Sequence, residues 1–262
     1  MRIYPAVEVI DGAGVRLRRY IGSPYLRELD PFLLLDEFKS SNPEDYLKGF
    51  PEHPHRGFQT LTYMIRGRFQ HRDSTGAEGI LEDGWLQWMN AGRGVLHSEM
   101  PLVKDGFVWG FQLWLNNPKD KKMSEPFYYN FPAQLIEDTA LSQVWDLACG
   151  HIREKGFYPL VYLHVKLKIG GKFSFLPKEG SNTFVALSEG IVSLSSLKVE
   201  APALIVPDDD KFEITAIQDA VFIVGSAKPL REPVARFGPF VMSTREEIEQ
   251  ALQEYKEGRF VL

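Results

Sequence analysis

Phe50-Pro51-Glu52-His53-Pro54-His55-Arg56-Gly57-Phe58-Gln59-Thr60-Leu61-Thr62-Tyr63 is the stretch from which the fold is read. Two histidines stand two residues apart, a glycine follows, and the run from Gln59 to Ile65 then has the apolar, β-branched character of a strand. In extended chain, side chains at i and i+2 point to the same face. A second pair with that spacing, His97 and Glu99, ends Gly92-Arg93-Gly94-Val95-Leu96-His97-Ser98-Glu99. Two such segments facing each other across a barrel would turn three imidazoles and one carboxylate inward. That donor set suits a divalent transition metal and leaves one or two positions open for substrate and dioxygen. Spacing alone does not exclude the plainer alternative of surface histidines. Three of the six histidines nevertheless fall in these two pairs.

Outward from this region, β signals recur with turn residues at spacings typical of sandwiches and barrels rather than βαβ units. Such runs are Trp85 to Met89, Val108 to Leu115, Leu160 to Ile169, Thr183 to Leu187, Ala203 to Val206 and Ala220 to Val224. The polar stretch Asn117-Pro118-Lys119-Asp120-Lys121-Lys122 reads as an exposed connection, so two β regions of similar length flank a boundary between 118 and 150. One helix is expected near the C-terminus. Ser243-Thr244-Arg245-Glu246-Glu247 caps it, Ile248, Ala251, Leu252 and Tyr255 supply a packing face, and Gly258 stops it.

The composition narrows the function. A hydrophobic content of 44%, with 18 Phe, 10 Tyr and 5 Trp, supports a packed core and argues against a disordered chain. A net charge of −5 disfavours a protein built to grip phosphate backbones. No apolar run reaches membrane-spanning length, Met1-Arg2-Ile3-Tyr4-Pro5 has no apolar signal core, and the single Cys149 cannot form an internal disulfide. The expectation is a cytoplasmic protein that contacts neither membrane nor nucleic acid directly.

Other chemistries find no footing. Gly12-Ala13-Gly14 lacks the third glycine of a dinucleotide fingerprint, and Gly170-Gly171-Lys172 lacks the upstream glycine of a P-loop. Cys149 and His151 give no evidence of a nucleophile site. His164 reads as a strand residue rather than a ligand, so no metal is expected in the second half. Met64, Trp88 and Met89 read as core. Arg16, Arg18 and Arg19, like Lys119, Lys121 and Lys122, read as solvated charge.

The opening stretch resembles the pirin family. So does Gln87-Trp88-Met89-Asn90-Ala91-Gly92-Arg93-Gly94-Val95-Leu96-His97-Ser98-Glu99-Met100-Pro101. Asp30-Pro31-Phe32-Leu33-Leu34-Leu35-Asp36-Glu37-Phe38, His71-Arg72-Asp73-Ser74, Gly110-Phe111-Gln112-Leu113-Trp114 and Gly238-Pro239-Phe240-Val241-Met242 extend the resemblance. It implies an all-β bicupin, two consecutive jelly-roll barrels with a short C-terminal helix. The metal barrel would span 1–130, and a metal-free barrel plus the helix 131–262. It implies one divalent ion, foremost Fe(II), held by His53, His55, His97 and Glu99. Gln59, where pirins commonly carry Glu, leaves Glu99 as the expected anionic ligand. The activity implied is a quercetin 2,3-dioxygenase type of oxidoreductase, opening a flavonol or related small aromatic with O2, with Glu99 as base. Gln112 and Arg56 would be pocket or supporting groups, although Arg56 reads equally as a structural donor to loop carbonyls. The resemblance also admits a second role, an iron-binding, redox-responsive regulator acting through protein partners.

Overall fold

The computed structural model describes residues 1–102, 106–208 and 211–261. The first half contains strands β1 (Arg2–Pro5), β2 (Val7–Asp11), β3 (Val15–Ile21), β4 (Phe32–Ser40), β5 (Phe50–His55) and β6 (Phe58–Arg66). It continues through β7 (Arg68–Asp73), β8 (Glu78–Leu81), β9 (Trp85–Asn90), β10 (Val95–Leu102), β11 (Val108–Asn116) and β12 (Phe127–Pro132). There follow β13 (Gln134–Asp138), β14 (Ser142–Asp146), a short helix α1 (His151–Lys155), β15 (Leu160–Leu167), β16 (Lys172–Phe175), β17 (Asn182–Glu189) and β18 (Ile191–Leu194). The chain closes with β19 (Leu197–Glu200), β20 (Ala203–Val206), β21 (Phe212–Ala216), β22 (Ala220–Ala227), β23 (Ala235–Phe237), β24 (Phe240–Met242) and helix α2 (Arg245–Lys256). Each run read as a strand from sequence falls on one, with β15 ending at Leu167 rather than Ile169. Among the described residues no helix is long and apolar enough to cross a membrane.

The strands form two units. The unit bearing the clustered histidines, here the histidine unit, comprises Glu8–Ile21, Asp30–Pro132 and Leu230–Leu262. Its sheets run β12-β9-β6-β11-β4-β3-β2 and β5-β10-β7-β8, with a two-stranded β23-β24 ribbon. The second unit comprises Met1–Val7, Gly22–Leu29 and Ala133–Pro229. Its sheets run β1-β20-β17-β22-β15-β14-β13 and β16-β21-β18-β19. The strand order repeats between the units at every place but one. The strand flanking β9 is the later β12, whereas the strand flanking its counterpart β20 comes from the N-terminus, β1.

The division therefore departs from two contiguous halves meeting near residue 130. β1 pairs with β20, which assigns the N-terminus to the second unit. The C-terminal segment, helix included, belongs to the histidine unit. Val241 N donates to Arg56 O and Arg56 N to Pro239 O, so β24 lies along the end of β5. Gly57 permits that approach. Its φ is +85°, and a Cβ there would stand 2.0 Å from Val241 O. Helix α2 starts on a capping box, with the Thr244 hydroxyl accepting from Glu247 N and Glu247 accepting from Thr244 N. It packs Ile248 and Ala251 against Phe240, Met242 and Phe260.

Lys122 corrects the reading of its segment as solvated. It is buried, donating from Nζ to Gly57 O, Asn116 Oδ1 and Val241 O, and burial pulls its ammonium down to about 8. Arg16 is exposed as expected, whereas Arg18 is half-buried, 3.7 Å from the buried Glu37 carboxylate. Arg19 instead turns in, gripping Asp36 through Nε and Nη2 at 2.8 and 2.7 Å.

The second unit is packed with apolar side chains. Its strands matching β5 and β10 are β16 and β21, where Phe173 faces Ile214 and Phe175 faces Phe212. His164 is buried on β15, stacked on Trp145 with centroids 4.7 Å apart.

Candidate metal centre

Three strands build the site. β10 lies between β5 and β7. On one side His97 pairs with His53, and the register shifts by a bulge between His97 and Glu99. On the other side His97 stands opposite Asp73 and Glu99 opposite His71. Residues directly opposite in an antiparallel pair share a face. The i, i+2 spacings of His53/His55, His97/Glu99 and His71/Asp73 therefore turn all six side chains to one side.

Three imidazoles converge. Nε2 of His53 lies 3.0 Å from Nε2 of His55 and 3.0 Å from Nε2 of His97. His53 Nδ1 donates to Pro51 O at 2.8 Å, and His55 Nδ1 points to Pro239 O at 3.4 Å, so their Nε2 atoms carry the lone pairs. Burial holds the pKa of His55 well below the ordinary histidine value, helped by His53. Burial does the same for His97, helped by His55, His53 and His71. The Nε2 lone pairs of His53 and His55, meeting at 3.0 Å, repel each other unless a cation lies between. Nitrogens about 2.1 Å from one ion and at right angles to each other stand about 3.0 Å apart, which is the spacing these rings adopt. The residues present thus fit a divalent ion.

Glu99 is anchored beside the three imidazoles, next to His97. Its Oε1 accepts from Thr62 Oγ1 at 3.1 Å and Gln87 Nε2 at 2.8 Å, and its Oε2 accepts from Gln112 Nε2 at 2.8 Å. These donors hold the carboxylate in a neighbouring triad, in which ligand atoms of Glu99, His97 and His71 lie within 4.8 Å of one another. His97 alone belongs to both triads. His71, absent from the site as read from sequence, has the signal that revealed the others, a potential ligand two residues from another in a β-type run.

Gln112 does border the site. Its Oε1 accepts from Trp114 Nε1 at 3.0 Å, and because indole only donates, the amide must present Nε2 to Glu99. Arg56 points elsewhere. It is buried against the C-terminal segment, donating to Glu254 Oε2 at 2.6 Å and Phe260 O at 3.2 Å, with its guanidinium 4.4 Å from the Phe260 ring centroid. Its role is structural. Replacing Arg56 with Met removes the charged partner of Glu254 and is expected to destabilise the histidine unit by about 2 kcal/mol, less than the roughly 3–5 kcal/mol of a fully buried pair because Glu254 is partly exposed and keeps its bond from Gln250. Urea unfolding measures this, and a midpoint equal to wild type would refute it. Gln59 is also remote, fixed between Trp88 Nε1 and Asn117. Met64, Trp88 and Met89 are fully buried core.

The site opens into a cavity of about 600 Å³. Leu34, Phe38, Phe50 and Trp114 give it apolar walls, while His53, His55, Glu99 and Gln112, together with Asp11, Arg19, Asp36 and Glu52, bring polar and charged groups to it. Arg236 lies on its rim, with its guanidinium 4.9 Å from the Trp114 ring centroid.

The pirin family profile matches residues 14–115, and that of the pirin C-terminal cupin domain matches 162–261. A pirin-like protein of Caulobacter vibrioides is 38% identical, over 99% of this chain and 100% of its own. Human pirin is 38% identical over 96% and 90%. The crystal structure of a quercetin 2,3-dioxygenase from Acinetobacter baumannii superposes with a TM-score of 0.86 at 31% identity, covering 99% of this chain and 97% of that one. Matched by both profiles and by relatives 38% identical along nearly its whole length, and carrying among the described residues a histidine cluster in one of its two β units, this chain belongs to the pirin family.

Proposed function

We propose that this protein is a metal-dependent dioxygenase that opens a flavonol or related small aromatic with O2. Its ion, foremost Fe(II), would be held by His53, His55, His97 and Glu99. The observation that carries this reading is the convergence of three Nε2 nitrogens at the wall of an aromatic-lined cavity. A volume of about 600 Å³ lies within the range of small-molecule sites and has room for a tricyclic flavonol. Similarity to a solved quercetin 2,3-dioxygenase supports the substrate class.

When bound, the ion supplies Lewis acidity toward an enolic hydroxyl and one-electron access to dioxygen, and a histidine–carboxylate donor set suits Fe(II) in that chemistry. The remaining work falls to the chain. Trp114 and Phe50 flank the substrate ring and keep water from the reacting carbons. Glu99 receives the hydroxyl proton on a carboxylate oxygen, and Gln112, itself fixed by Trp114, holds that carboxylate in place. Arg236 on the rim offers a cation to the phenolic edge that remains outside.

The test is direct. Protein loaded anaerobically with Fe(II) is mixed with quercetin and air, and flavonol absorbance and oxygen uptake are followed together. One O2 consumed per flavonol lost, abolished by chelation, is expected. Uptake no faster than with free Fe(II) would overturn the enzyme reading and favour a redox-responsive regulator.

A further inference from the structure

His71 is buried beside the histidine cluster, on a strand that contributes none of the proposed ligands. Its Nε2 meets Asp73 Oδ2 at 3.0 Å, which places the ring proton on Nε2 and leaves Nδ1 bare. The ring is stacked on Tyr128 with centroids 4.2 Å apart and an interplanar angle of 15°, so its orientation is fixed on two sides. Its Nδ1 is buried and meets no hydrogen-bond partner among the described residues.

A complementary deficit lies next to it. Histidines that bind metal through one nitrogen almost always donate the other N–H to a carbonyl, a carboxylate or water, which fixes the ring and raises its basicity. His53 points Nδ1 at Pro51 O and His55 points Nδ1 at Pro239 O. His97 Nδ1 is buried with no such partner. Its ring centroid is 5.4 Å from that of His71, and two imidazoles sharing an N–H···N bond stand roughly 5 Å apart.

We propose that His71 is the positioning residue for His97: oriented by Asp73 and Tyr128, it accepts the His97 Nδ1–H once an ion is seated on His97 Nε2. The chain Asp73–His71–His97 then does for the third imidazole what the two proline carbonyls do for the others. Because β10 carries His97 and Glu99 together, the same contact fixes the segment that presents both. This inference rests on the metal-binding reading of the site.

Co(II) serves as the probe, since its visible bands report ligand geometry and binding is measured without turnover. His71→Phe keeps the stack on Tyr128 and removes both ring nitrogens. It is expected to weaken Co(II) binding by about 10–100-fold and to shift the bands. His71→Gln, whose carbonyl can accept the same N–H, should recover most of the affinity. Asp73→Asn, which contributes no atom to the triads, should give a smaller loss with the same band shift. His71→Phe binding Co(II) within twofold of wild type with unchanged bands would overturn the proposal. If that variant does not fold, unchanged binding and bands in Asp73→Asn would overturn it. Failure of the wild-type protein to bind Co(II) would instead remove the metal reading, and this inference with it.

Discussion

A His97→Ala variant is expected to emerge from purification without its ion and without oxygen consumption above background. His97 is the one residue shared by the converging imidazoles and the Glu99 triad, so its removal opens both. Four-ligand sites of N and S donors bind Zn(II) with roughly 10–16 kcal/mol, which assigns about 3 kcal/mol to a donor and about two orders of magnitude to its loss. Elemental analysis after gel filtration, with Co(II) titration of the chelated protein, measures the loss. One equivalent of metal retained by the variant would show that the ion sits elsewhere.

That such a variant could be chosen from sequence follows from the geometry of strands. A period of two puts His53 with His55, and His97 with Glu99, on common faces, and nothing tertiary is needed to see it. The terminal helix was equally legible, because Thr244 and Glu247 satisfy each other within one turn. What stayed hidden depends on register and on distant partners. Glu99 turns toward Thr62, Gln87 and Gln112 because β6, β9 and β11 are neighbours in a sheet whose order no local pattern encodes. Arg56 looks like a site residue beside His55, and only its partners near the C-terminus, Glu254 and Phe260, show otherwise. Lys122 sits in a charged run, yet its acceptors come from Gly57 and Val241. The interleaving of the two units likewise follows from the pairing of β1 with β20, strands separated by most of the chain. His71 and Asp73 were within reach, since their spacing repeats that of the recognised pairs.

The chelated protein is expected to lose stability steeply as the pH falls below about 6.5, and more in the histidine unit than in the second. Burial holds His55, His97 and His164 well below the ordinary 6.5; neighbouring His53 adds to the shift of His55, His55 and His53 to that of His97, and Lys166 to that of His164. With folded-state values depressed, the unfolded chain takes up protons first. The stability these groups confer is complete above 6.5 and declines as the pH drops below it toward the folded-state values. Between pH 7.5 and 5.5 each can contribute a loss of at most about 1.4 kcal/mol, hence at most about 2.7 kcal/mol for the unit holding His55 and His97 and half that for the unit holding His164. Such a loss is large against a total of about 5–15 kcal/mol. Hydrogen exchange resolves the two units, through peptides covering β6 in one and β17 in the other. Protection in β6 should fall over this range by up to about two orders of magnitude and that in β17 by up to about one, since about 1.4 kcal/mol is a factor of ten. Added Co(II) should restore β6 alone, because an ion occupying the lone pairs of His55 and His97 excludes the protons that would otherwise unfold them. Protection in β6 that stays level from pH 7.5 to 5.5 without metal would show that these rings are not held neutral by burial.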